Sequence, residues 1–227
     1  MLKKILLSIA IVFSACSSTE DIPLPVTSSN ENALAFFNKA ENHITQGEWR
    51  EGRDNFQSAI RIEPNFVMAN LWGWSDDPVQ TRKYREVAIA NKDKVSDAER
   101  IRVEMWMAGR DGESTKKLDL AKELISKYPN SSEAYFNIAL IYRDMGKSLE
   151  SEQLSKKAIK IKPDFEDAYF HLGNLYIDSG RLKDAEKMFI KCISLNPNVC
   201  EFYNNLGTVL LDLGKIQEAE DSLIQAI

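Results

Sequence analysis

Helix-breaking residues recur along this chain at a fixed interval. Pro129, Pro163 and Pro197 are 34 residues apart, and so are Gly112, Gly146, Gly180 and Gly214. One period shared by two residue types is a strong constraint, because proline removes a helical N–H and glycine frees the backbone, so both punctuate helices. Between the breaks run amphipathic stretches of helix length: Glu133 to Met145 and Leu149 to Ile161, Glu166 to Asp178 and Leu182 to Leu195, Glu201 to Leu213 and Ile216 to the end. Each period therefore reads as a helix, a turn at the glycine, a second helix and a stop near the proline. A unit of this length cannot cover its own apolar face and must stack on its neighbours.

The stretch DAYFHLGNLYIDSGRLKDAEKMFIKCISLNP carries Tyr169, Leu172, Gly173 and Tyr176 in its first helix and Gly180 at its turn. Ala185, Phe189, Cys192, Leu195 and Pro197 mark its second helix and its end. This pattern resembles the tetratricopeptide repeat. The next period repeats it with Tyr203, Leu206, Gly207, Leu210, Gly214, Ala219, Leu223 and Ala226, and the preceding one with Tyr135, Ile138, Ala139, Tyr142, Gly146, Ala158, Ile161 and Pro163. Ser151 and Ser155 stand where alanine and phenylalanine are usual, which predicts looser packing of that second helix. The resemblance implies an all-α, right-handed α-solenoid of about five helix-turn-helix repeats. Its steric logic is that Gly173 and Ala185 let two helices approach closely, while Tyr169, Leu172 and Phe189 fill the space beside them.

Upstream, residues 33–64 fit the same frame with Phe36, Ala40, Gly47, Phe56, Ala59, Ile62 and Pro64, although Gly52 replaces the usual alanine. Pro64 to Pro129 spans 65 residues, read as a shortened repeat over 65–95, turning at Asp76-Asp77-Pro78, and a diverged one over 96–131. Ser96 with Glu99 makes a capping box for the latter. Trp72, Trp74 and Trp106 fall here and read as core. Repeats over 132–165, 166–199 and 200–227 follow, the last ending inside a second helix at Ile227. That leaves an apolar face for a longer chain, a partner or a second copy to cover, which predicts self-association through the uncapped helix.

The N-terminus reads as an address. Lys3 and Lys4 precede the apolar run Ile5 to Phe13, and Ser14 and Ala15 lead to Cys16. The run is far shorter than the roughly 20 apolar residues of a transmembrane helix, so residues 1–15 read as a signal peptide. Phe13-Ser14-Ala15-Cys16 resembles the bacterial lipobox, with Phe13 departing from the usual leucine. That resemblance implies lipidation of Cys16 with fatty acyl chains such as palmitate, and anchoring to the bacterial envelope. Ser17 and Ser18 lack the aspartate that retains some lipoproteins at the inner membrane, which favours the outer membrane. Glu20 and Asp21 are similar to acidic signals for surface export. Residues 16–32, polar and containing Pro23 and Pro25, read as a flexible tether.

The 227 residues, 44% hydrophobic and 28% charged, suffice to bury a core. Net charge is −5, or −7 once Lys3 and Lys4 leave with the leader, which disfavours nucleic acid as a ligand. Only His43 and His171 can serve as neutral-pH bases, and neither sits in a catalytic motif; no HExxH, GxSxG, phosphate loop or CxxC is present. The chain thus reads as a non-enzyme without metal or cofactor. Cys192 and Cys200 have no zinc-like spacing; Cys192 reads as a buried thiol, or as half of a Cys192–Cys200 disulfide that an oxidising envelope permits.

Binding remains. First helices of successive tetratricopeptide repeats line a concave groove, so the resemblance implies that Phe136, Asn137, Phe170, His171, Asn174, Asn204 and Asn205 face it. An asparagine row suits an extended peptide, since each amide both donates and accepts. Phe37 and Glu41 replace the lysines of carboxylate clamps, which disfavours capture of a C-terminal carboxylate. Two readings follow: a membrane-anchored scaffold or adaptor that binds a peptide or protein in its groove during envelope complex assembly; or an accessory subunit or truncated helical part of an envelope enzyme, such as a peptidoglycan-processing hydrolase.

Overall fold

The periodic breaks are where the chain turns. In a computed structural model, which describes residues 20–226, the helices are α1 (Glu31–Thr45), α2 (Trp49–Ile62), α3 (Val67–Trp72), α4 (Pro78–Asn91), α5 (Asp97–Arg110) and α6 (Ser114–Lys127). They continue as α7 (Ser132–Asp144), α8 (Ser148–Ile161), α9 (Glu166–Asp178), α10 (Leu182–Leu195), α11 (Cys200–Asp212) and α12 (Ile216–Gln225). Among the described residues six antiparallel pairs result; α3–α4 is stunted, its first helix having 6 residues, and α12 is described over 10 residues. Among the described residues no helix is long and apolar enough to cross a membrane.

Local chemistry sets the boundaries. Gly180 turns the chain at φ +69°, where a side chain would be strained. Asp77 caps α4 by accepting from the Val79 N–H, with Pro78 in the first turn. Ser96 and Glu99 form the expected capping box at α5. Inside the pairs, the small positions act as steric passes: a Cβ added at Gly173 would come within 2.7 Å of the Phe189 ring. Gly173→Leu is therefore expected to cost about 1–3 kcal/mol by overpacking. Chemical denaturation measures this, and an unchanged midpoint would contradict the packing argument.

The core runs as successive clusters along the stack, from Phe37, Phe56 and Phe66, through Ile101, Leu124 and Ile138, to Leu172, Phe189 and Leu206. Ser151 and Ser155 are fully buried in it. Their hydroxyls are satisfied, Ser151 donating to the Ala139 carbonyl (2.7 Å) and Ser155 to the Ser151 carbonyl (2.9 Å).

The segment expected to be a free tether behaves differently where it is described. Residues 20–30 form a strap across the stack: Ile22 N–H donates to the Asn130 carbonyl (3.0 Å), and the Asp21 carboxylate accepts from the N–H and hydroxyl of Ser132 (2.8 and 2.9 Å) at the start of α7. An anion suits that helix N-terminus. Leu24, 4% exposed, is buried with Ile101 and Met105. Thr27 donates through its N–H and hydroxyl to Glu99 (2.8 and 2.5 Å), and Ser28 and Ser29 donate to Glu63. The prolines that suggested a linker are compatible with this extended course, and long-range acceptors supply what local structure does not. The signal-peptide reading of residues 1–15 and the lipidation of Cys16 lie outside the described residues.

Candidate functional site

The stack curves until its beginning meets its later repeats. In the α10–α11 loop, Asn196 donates through its side-chain amide to the Thr45 carbonyl in the last turn of α1 (3.3 Å), joining residues 151 positions apart. A cavity of about 440 Å³ marks this seam, with Ile44 and Trp49 on one side and Phe170 and Phe202 on the other. Beside the seam the curve forms an open-mouthed lumen of about 560 Å³.

Each element contributes one part of the lumen wall. α1 supplies Glu41, the end of α3 supplies Trp72, the loop after it Trp74, α5 Arg102, and α7 Glu133, Phe136 and Asn137. Lys162, Phe165 and Asp167 come from the α8–α9 junction, and Asp21 of the strap stands at the rim. Trp72 corrects the core reading: α3 stops at Gly73, so the indole is left 37% exposed toward the lumen. Phe136 and Phe165 pack edge to face (5.1 Å), as Trp74 does at a tilt on Phe56 (6.1 Å).

Charge on this wall is uneven. Arg102, 8% exposed, pairs with Glu133 (2.8 Å) and lies over the Trp72 ring (5.7 Å). Glu41 and Asp167 reach solvent within the lumen, yet protein surrounds them on most sides. That crowding raises the Glu41 carboxyl to about 7, against the pull of Arg102 and with a further push from Glu133. Asp167 is raised for the same reason, Lys162 opposing and Glu133 adding. An adjoining cavity of about 410 Å³ shares Trp72, Arg102 and Asn137 and is basic, with Arg110 and Lys117.

The residues expected to line the groove divide. Phe136 and Asn137 face the lumen. Phe170 lines the seam and packs on Phe189 (5.9 Å) and Phe202 (5.4 Å). Asn174 and Asn205 lie amide to amide at 3.5 Å, and Asn204 is exposed beside them on α11. His171 does not project into a groove: it is 3% exposed and its Nε2 meets the Ser151 hydroxyl at 2.8 Å. Because the Ser151 hydrogen goes to Ala139, the imidazole must be the donor in that bond, which leaves Nδ1 a buried acceptor without a partner. Burial, then the positive charge of Arg143, hold this histidine down at about 4, so it is neutral. Cys192 and Cys200 are free thiols rather than a disulfide: Cys192 is buried with its Sγ 3.7 Å from the Glu166 carbonyl, while Cys200 is exposed. Burial pushes the Cys192 thiol up to about 12, so it is inert at neutral pH. Among the described residues no three His, Cys, Asp or Glu side chains group as metal ligands.

Arg102, Lys162 and Asp167 are not singled out by the sequence, and Glu41 reads there only as standing where a clamp lysine would be, because their convergence depends on the curvature of the whole stack. One local signal existed. Trp72-Gly73-Trp74 places two indoles astride a helix-ending glycine, where one helix face cannot bury both.

Models of the tetratricopeptide repeat match residues 132–165, 166–199 and 188–221. The chain carries tetratricopeptide repeats. No curated protein matches it. Among solved structures, the tetratricopeptide solenoid is similar to PilW, a widely conserved type IV pilus biogenesis factor, with a TM-score of 0.54 at 17% identity over 86% of this chain and 91% of PilW. It is also similar to MamA, with a TM-score of 0.50 at 18% identity over 82% of this chain and 91% of MamA. These likenesses concern the fold, and the repeats make the chain a protein-interaction scaffold.

Proposed function

We propose that this tetratricopeptide protein is a lipid-anchored scaffold that holds a segment of a partner protein in its lumen during assembly of an envelope complex. The observation that carries the reading is the lumen itself: the Trp72 indole and the carboxyls of Glu41 and Asp167 face accessible space rather than core. Exposed aromatic surface in a concave site, with a few polar groups to orient a ligand, is what a binding pocket requires. The amides of Asn174, Asn204 and Asn205 extend the surface beyond the lumen and suit the backbone of an extended segment. The anchor rests on Cys16 and its leader. Ser17 and Ser18 after that cysteine favour an outer-membrane location.

The test is co-purification of the detergent-solubilised lipoprotein from membranes. Wild type is compared with Asn137→Trp, which fills the lumen, with Asn174→Ala combined with Asn204→Ala, and with Cys16→Ser. The lumen-filled variant should lose the partners that wild type captures, at an unchanged melting temperature, and Cys16→Ser should leave the membrane fraction. Equal capture by wild type and Asn137→Trp would refute the lumen as the binding site.

A further inference from the structure

We propose that the lumen selects a basic side chain, taking an ammonium or guanidinium group of the partner segment between Glu41 and Asp167 and against the aromatic wall. This rests on the reading of the lumen as the binding site and names the chemistry it prefers.

The chain already demonstrates how this lumen holds a cation. Arg102 is almost wholly enclosed there, with an indole face below its guanidinium (5.7 Å) and a carboxylate beside it (2.8 Å). Such an arrangement strengthens as water is excluded. Once Arg102 is paired with Glu133 and Asp21 with Ser132, two carboxyls remain, Glu41 and Asp167. Neither takes part in an ion pair or side-chain hydrogen bond within 4.0 Å among the described residues, and the one other cation on the wall, Lys162, has its ammonium over the Phe165 ring (5.2 Å). Two carboxyls therefore share the wall with Trp74, Phe136 and Phe165 and have no direct ion-pair partner, feeling only the longer-range pull of Arg102 on Glu41 and of Lys162 on Asp167. An incoming cation supplies the missing charge and a π-face partner together. An anionic group would meet like charge here. An aliphatic one would desolvate the carboxyls with nothing in return.

The neighbouring basic cavity adds a direction. Arg110 and Lys117 lie beyond the shared Trp72 and Asn137, so the groove is acidic at the Glu41 end and basic at the other. Opposed ends of this kind discriminate between orientations of a bound segment more than they add affinity.

The experiment uses the full lipoprotein in detergent and a fluorescein-labelled, capped peptide of glycine and tyrosine carrying two arginines. Its twin has citrulline at both arginine positions, the same shape without charge. Anisotropy titrations should show the arginine peptide binding about tenfold tighter or more, a preference removed by Glu41→Gln with Asp167→Asn and weakened by salt. The preference should also grow as pH rises through about 7, where Glu41 loses its proton in the company of Arg102, Glu133, Asp167, Lys162 and Asp21. Equal binding of the two peptides, or a preference that survives the double substitution, overturns the proposal. If neither peptide binds while Asn137→Trp still abolishes partner capture, the lumen binds by other chemistry and only the charge assignment fails. If neither peptide binds and Asn137→Trp captures as wild type does, both readings fail.

Discussion

Glu99→Ala is expected to destabilise the protein by about 3 kcal/mol and to free the strap from the stack. Glu99 is fully buried, and its carboxylate accepts from the Ser96 N–H (3.1 Å), the Ser96 hydroxyl (2.7 Å), the Thr27 N–H (2.8 Å) and the Thr27 hydroxyl (2.5 Å). Loss of a cap costs about 1 kcal/mol, and a hydrogen bond to a charged group contributes about 1.5–3 kcal/mol. Thr27 is exposed, so its donors can turn to water, which holds the total near the lower end of the sum. Urea denaturation reads the stability, and amide hydrogen exchange at Thr27 reads the strap. Glu99→Gln is the milder control, because an amide oxygen in place of Oε2 still accepts from Ser96 and from the Thr27 hydroxyl and gives up only the acceptor of the Thr27 N–H. A loss under about 1 kcal/mol with Thr27 still protected would mean that Leu24, not Glu99, fastens the strap. The outcome bears on binding as well, since the strap places Asp21 at the lumen rim.

What the sequence could and could not reveal follows the range of each interaction. Helices α9 and α10 span the expected Glu166–Asp178 and Leu182–Leu195, and the Ser96–Glu99 capping box is in place, because proline, glycine and capping residues act within a few positions of themselves. The close approach at Gly173 was equally legible, since a repeat pattern pairs a glycine on one helix with a large residue on the next. The strap was not legible. A polar segment with two prolines has the composition of a linker, and only partners 72 and 111 residues away, Glu99 and Ser132, make it part of the fold. Closure of the lumen is harder still to read, because it sums small rotations over every pair and depends on the stunted α3–α4 unit. His171 shows a third kind of failure. The repeat register places it on the concave side, but Ser151, at a position where alanine is usual, offers a hydroxyl that a buried imidazole can bond.

That buried imidazole makes the protein sensitive to acid in a defined window. His171 is held at about 4 in the fold against 6.5 unfolded, so between those values the unfolded chain binds the extra proton and the folded one does not. Stability must then fall as pH drops from about 6.5 toward 4 and level off below, with a total near 3 kcal/mol. Glu41 works in the opposite sense: raised to about 7, it binds its proton more tightly in the fold and favours folding as pH falls from 7 toward 4.5. The two do not cancel, because Glu41 reaches solvent in the lumen, which screens it, whereas His171 is enclosed. His171→Gln isolates the effect. Its amide can donate to Ser151 as the imidazole does, and it cannot titrate. Urea denaturation at about pH 7 and pH 4 should therefore show the wild type losing about 3 kcal/mol more than His171→Gln over the interval. Equal losses would mean that Nδ1 finds a partner on protonation, and that the acid sensitivity of the stack lies in its carboxylates instead.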